Sequence, residues 1–208
     1  MYLNDDPNNM ANYQYAEKIA QTAEALRQQV EFVGLHWDQE PSKKDAYYDL
    51  LSMLQLSARH IHTSSTIKPL WLRQSVQECL TSDEISQLDI KNTGQSLAQA
   101  LCEICHSGAL MAYSNDYEQV SAFMKQASEI SSAVGKDCVS IVETGFTNDL
   151  PEDETLCYEF RKDPSAFYKY VADRSAQYST VAIHDYAQFY YDLYCEDPSK
   201  QAEMKSVC

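Results

Sequence analysis

The chain has 208 residues, 44% hydrophobic and 23% charged, enough to bury a sizeable core and unlike the composition of a disordered chain. Its 31 acidic against 16 basic side chains give a net charge of −15, which disfavours direct binding to nucleic-acid phosphates or anionic lipid. Five glycines and six prolines are few for this length and argue against an all-β fold of many short, tightly turned strands.

Helical periodicity dominates in chain order. Asp6-Pro7 forms a cap-and-proline start, after which Ile19, Ala23, Leu26, Val30 and Val33 make one apolar stripe. A second stripe follows Pro41: Tyr47, Leu50, Leu51, Leu54, Ala58 and Ile61. Pro69 opens a segment with Leu70, Leu72, Val76 and Leu80, and Thr81 with Glu84 has the spacing of a capping box. Asn92-Thr93-Gly94 is a turn, followed by a helix carrying Leu97, Leu101, Ile104 and Met111.

Val120, Phe123, Met124, Ala127 and Ile130 make the next stripe, which stops near Gly135. Val139, Val142 and Phe146 read as a further helix ended by Pro151, and another is expected from about Glu152 to Arg161. Asp163-Pro164 caps a helix with Phe167, Tyr170 and Val171 inward, and the segment TVAIHDYAQFYYDLYCED reads as the last helix. The expectation is a single all-α domain over 1–208, a compact bundle of about eight to ten helices, with a frayed polar tail from about 198.

The alternative fold is a short HEAT-like α-solenoid. It rests on Phe146 and Phe189, 43 residues apart, each followed by Asp-Leu at the same offset, against a repeat period of about 40–47 residues. No third copy lies upstream, which places the bundle ahead.

The N-terminal stretch has neither the basic region nor the apolar core of a signal peptide, and no apolar run approaches the roughly 18 residues of a membrane span. Seven cysteines without framework spacing, and no Asn-x-Ser/Thr acceptor site, complete an expectation of a cytoplasmic protein with free thiols and no membrane partner.

One segment, Cys102-Glu103-Ile104-Cys105-His106, matches the C-x-x-C-H pattern of covalent haem attachment, with His106 as axial ligand. Haem c chemistry lacks its context without an export signal, and zinc lacks a second ligand pair, since His60 and His62 at spacing two splay apart on a helix. A helix expected to continue past the cysteines gives a simpler account. Ala98, Cys102, Cys105 and Ala109 would then form a strip of small side chains that lets a neighbouring helix approach. That account leaves His106 unexplained.

Phosphate-binding glycine loops, G-x-S-x-G elbows and H-E-x-x-H pairs are all missing from the sequence. The second unusual segment is acidic and tyrosine-rich. Tyr186, Tyr190 and Tyr194 with Asp185, Asp192 and Glu196 suit contact with a protein partner of basic character, since tyrosine is enriched at interfaces. The expected function is therefore non-catalytic protein binding. A helical haem or metal protein using Cys102, Cys105 and His106 is the alternative, and an acidic DNA-mimic inhibitor is a minor one.

Overall fold

The structure, a computed structural model, describes residues 2–4, 13–41, 43–144, 152–156, 159, 162–178 and 181–184. It is an α/β protein. Six strands run Tyr2–Asn4 (β1), Gly34–Asp38 (β2), His62–Ile67 (β3), Ser107–Met111 (β4), Asp137–Glu143 (β5) and Val181–His184 (β6) among the described residues. Seven α-helices accompany them there: Tyr13–Leu26 (α1), Tyr47–Ala58 (α2), Val76–Cys79 (α3), Ser82–Gln87 (α4), Leu97–Ile104 (α5), Tyr117–Val134 (α6) and Pro164–Gln177 (α7).

Parallel strand pairing overturns the expected all-α bundle of eight to ten helices, and with it the HEAT-like solenoid. Neither architecture contains a sheet. The chain divides into two compact units, residues 1–110 with 126–138 and residues 111–125 with 139–208.

In the first unit the strand order is β1-β2-β3-β4, and each neighbouring pair is parallel. Parallel neighbours need a crossover between them. α1 supplies the first and α2 the second, while a 3₁₀ turn at Pro69–Leu72 and α3 to α5 lie within the third. The order never reverses along these four strands, so they contain no switch-point crevice of the doubly wound kind.

The helices form where the apolar spacing is strongest. α2 buries Tyr47, Leu50, Leu51, Met53 and Leu54, and α4 starts at the expected capping box, Thr81 accepting from the Glu84 amide at 3.3 Å. α1 buries only Ala16, Ala20 and Ala23 of its described side chains. The stripe expected to reach Val33 ends with the helix at Leu26; Val30 and Val33 are 58% and 76% exposed.

α5 does not continue to Met111 as expected. Cys105 caps it in extended conformation, and Lys136 Nζ donates to the Glu103 and Cys105 carbonyls at 2.5 Å each, satisfying acceptors that the helix end leaves open. The chain then extends as β4. Gly34 and Gly108 mark close approaches: a Cβ on Gly34 would overlap the His62 carbonyl oxygen, and one on Gly108 would lie 2.5 Å from Cys102 Sγ.

In the second unit β5 and β6 pair in parallel, and the Ala112 amide donates to the Ile141 carbonyl at 2.8 Å. The segments expected as helices around Val139 to Val142 and at the start of TVAIHDY are these two strands. The expected helix from Glu152 begins with a 3₁₀ turn, Glu152–Glu154. α7 starts as its sequence indicates, with Pro164 in the first turn and the Asp163 carboxylate accepting from the Ala166 amide at 3.0 Å. Its Phe167 is fully buried, and the Tyr170 hydroxyl donates to the Tyr117 carbonyl at 2.8 Å. Among the described residues no helix is long and apolar enough to cross a membrane.

Candidate functional site

Alternation along β2 and β3 separates two faces. Leu35, Trp37, Thr63, Ser65 and Ile67 are buried, on the face that packs on the helices. There the Trp37 indole donates to Ser57 Oγ of α2 at 3.0 Å, and Ser57 and Thr63 hydroxyls meet at 2.9 Å. Thr63 Oγ1 donates to the Ile61 carbonyl at 3.0 Å. The Ser57 proton therefore goes to Thr63, and the three bonds form one directed chain.

The opposite face carries no aliphatic side chain from either strand. Register places His36 beside Ser64. His36 Nδ1 lies 2.8 Å from Ser64 Oγ and its Nε2 lies 3.1 Å from Thr66 Oγ1. The Thr66 hydroxyl donates to Asp38 Oδ1 at 2.7 Å. Four side chains from two adjacent strands thus form one hydrogen-bonded array, and Asp38 and Thr66 stand at the carboxyl-terminal ends, where parallel α/β folds hold their ligands.

Just beyond β2, Glu40 joins the array electrostatically. Burial holds its carboxyl above the ordinary glutamate range, the Asp38 charge adds to this, and Lys68 Nζ at 3.7 Å opposes it. Burial also lowers the proton affinity of the His36 ring, although the Asp38 charge works in the other direction. The site thus pairs two carboxyl groups, one of which gains a proton more readily than an ordinary glutamate. Such pairing is characteristic of acid–base sites.

The cysteine segment lies at the other end of the sheet, at the amino-terminal side of β4. Cys102 and Cys105 are fully buried, and His106 is exposed. Burial pushes the Cys105 thiol up to about 12. Cys102 is also raised, chiefly by its hydrogen bond to the Cys138 thiol. His106 takes part in strand pairing: its amide donates to the Thr63 carbonyl at 2.8 Å, and its Nδ1 accepts from the Thr63 amide at 3.1 Å. Its ring also packs against that of His62, tilted by 34° with centroids 4.8 Å apart. The histidine left unexplained by helix packing thus has a role in the sheet. No group of three or more metal-ligating side chains occurs among the described residues.

Tyr186, Tyr190, Tyr194, Asp185, Asp192 and Glu196 lie outside the described residues. Sequence reasoning passed over His36, Asp38, Ser64, Thr66 and Glu40. The available signal was the alternation in Leu35-His36-Trp37-Asp38, with apolar residues on one face and titratable residues on the other.

No protein-family model and no curated protein matches the chain. Among solved structures, it resembles a chain from Bacteroides thetaiotaomicron described as a "putative alpha-L-fucosidase", at 10% identity and a TM-score of 0.45. The match covers 82% of this chain and 51% of that one, so the chain spans about half that protein's length. A likeness at this level carries no argument about activity.

Proposed function

We propose that this α/β protein binds a small, neutral, hydroxyl-bearing ligand at the carboxyl ends of β2 and β3, and exchanges a proton with it through Asp38 and Glu40. The observation that supports this reading is the connected array of His36, Ser64, Thr66 and Asp38 on the face turned away from the helices. Parallel strands are ordinarily apolar on both faces, so a fully polar face departs from what packing alone favours. Imidazole, hydroxyl and carboxylate groups offer donors and acceptors side by side, which matches ligand hydroxyls that act as both. Lys68 beside Glu40 offsets part of the negative charge and so favours a neutral ligand over a cation.

The test is calorimetric titration of the intact protein and of Asp38→Asn with a panel of free monosaccharides and polyols. At least one neutral compound is expected to bind, with at least about tenfold weaker binding to the variant, the loss expected when a charge-assisted hydrogen bond is removed. No binding across the panel, or equal binding to both proteins, contradicts the reading.

A separate proposal concerns the acidic segment after β6. Three tyrosines interleaved with Asp185, Asp192 and Glu196 in a chain of net charge −15 suit a basic protein partner. Capture of the same partners by the intact protein and by a Tyr190→Ala, Asp192→Ala, Tyr194→Ala triple variant would contradict it.

A further inference from the structure

At the carboxyl ends of β5 and β6, Glu143 and His184 are register partners, and His184 Nδ1 lies 2.5 Å from Glu143 Oε2. The Glu143 side chain is 1% exposed, while the imidazole is 52% exposed. Tyr113 stacks on the ring, its centroid 6.0 Å away and its plane inclined by 26°. The backbone is tied on both sides: Thr144 Oγ1 donates to the His184 carbonyl at 3.0 Å, and the Leu156 amide donates to the Glu143 carbonyl at 3.0 Å. An ionised carboxylate only accepts hydrogen bonds. Against an ionised Glu143, Nδ1 carries the shared proton, and in the neutral ring the basic lone pair then belongs to Nε2.

We propose that Glu143 and His184 form a further acid–base site, one that activates water against a small acyl ester. A buried carboxylate is costly unless paired, and a neutral glutamine would hold an imidazole in place at lower desolvation cost. What the carboxylate adds is stabilisation of an imidazolium, which forms only when His184 takes up a proton. In the step, water's oxygen bonds to the acyl carbon as one of its protons passes to Nε2. The bond from carbon to the leaving oxygen then breaks, releasing alcohol or phenolate and the acid, and Nε2 returns its proton to the leaving group or to solvent. His184 is the acid–base group; Glu143 and Tyr113 are positioning residues.

The probe is p-nitrophenyl acetate, with release of p-nitrophenolate followed for the intact protein, His184→Asn, Glu143→Gln and, as a control for surface imidazoles, His106→Asn. His184→Asn and Glu143→Gln are each expected to lower the rate at least about tenfold, at the modest end of acid–base contributions, and His106→Asn to leave it unchanged. A second readout is ¹⁵N NMR of the histidine rings, in which neutral His184 is expected to carry its proton on Nδ1. The Glu143→Gln variant, whose amide can donate to Nδ1, is expected to weaken that preference. A rate unaffected by His184→Asn, a rate equally lowered by His106→Asn, or neutral His184 protonated on Nε2 in the intact protein would overturn the proposal. If Glu143→Gln fails to fold, the His184→Asn rate and the intact-protein spectrum decide.

Discussion

Thr66 donates its hydroxyl to Asp38 across the β2–β3 pair, at 2.7 Å. The hydroxyl has one proton, so Thr66 Oγ1 can only accept from His36 Nε2 at 3.1 Å. In a neutral ring Nδ1 then accepts, and Ser64 Oγ at 2.8 Å is its donor. The Leu35 carbonyl at 3.4 Å is a poorer alternative for the Ser64 proton. Every proton in the array is thus directed towards Asp38, and its carboxylate orders the other three side chains.

Acid stability should carry a mark of His36. Burial lowers its proton affinity in the folded state. Between the lowered folded value and the ordinary histidine value, the unfolded chain binds more protons. The contribution of His36 to stability is therefore fully present above the ordinary value and is lost as pH falls through that window. Denaturant midpoints measured across this range should fall less steeply for His36→Asn than for the intact protein.

Glu40 is expected to trade stability for function. Its folded-state proton affinity is raised, first by burial and then by Asp38, so its ionisation costs stability as pH rises from the ordinary glutamate value through the folded one. Glu40→Gln should raise the thermal midpoint at pH 7 despite the lost Lys68 pair, and leave it nearly unchanged below about pH 4. A lower midpoint at pH 7 would assign the larger effect to the ion pair.

On the helix-packed face, Ser57 joins Trp37 to Thr63. Ser57→Ala leaves a buried indole N–H without its acceptor, and the expected loss is about 1–3 kcal/mol in chemical denaturation. The Trp37 emission should shift at the same time, since the indole loses its polar contact.

Gly108 tests the packing around the buried thiols. A Cβ there would meet Cys102 Sγ at 2.5 Å and Ile67 Cδ1 at 2.6 Å. Gly108→Ala should destabilise by about 1–3 kcal/mol through overpacking. In a background carrying Cys102→Ala and Ile67→Val the same substitution should cost clearly less, a coupling that a double-mutant cycle reads directly.

The parts of the fold legible in the sequence are those set by local spacing. α2 and α6 follow their apolar stripes, Thr81 and Glu84 form the capping box, Asp163-Pro164 starts α7, and Gly135 takes the positive φ of 66° where α6 stops. The strands were hidden for different physical reasons. β3, His-Thr-Ser-Ser-Thr-Ile, has a single aliphatic residue, because its buried side is filled by hydroxyls with partners in α2 and in its own backbone. β5 places Val139, Ile141 and Val142 close enough together to fit a helical stripe as well as a strand. Outside a strand, His36, Asp38, Ser64 and Thr66 lack the period of two that puts them on one face. The cysteine pair drew attention by its pattern, yet it packs as small apolar side chains do, and only the sheet explains His106.

The most direct measurement is ¹⁵N NMR of the His36 ring across a pH titration, in the intact protein and in Asp38→Asn. The array predicts a neutral ring protonated on Nε2, which gains its second proton only below the ordinary histidine value. That preference should weaken in the variant, whose side-chain amide can donate back to Thr66. A ring protonated on Nδ1, or one that titrates as a free histidine and ignores the substitution, would contradict the proton order on which the proposed site depends.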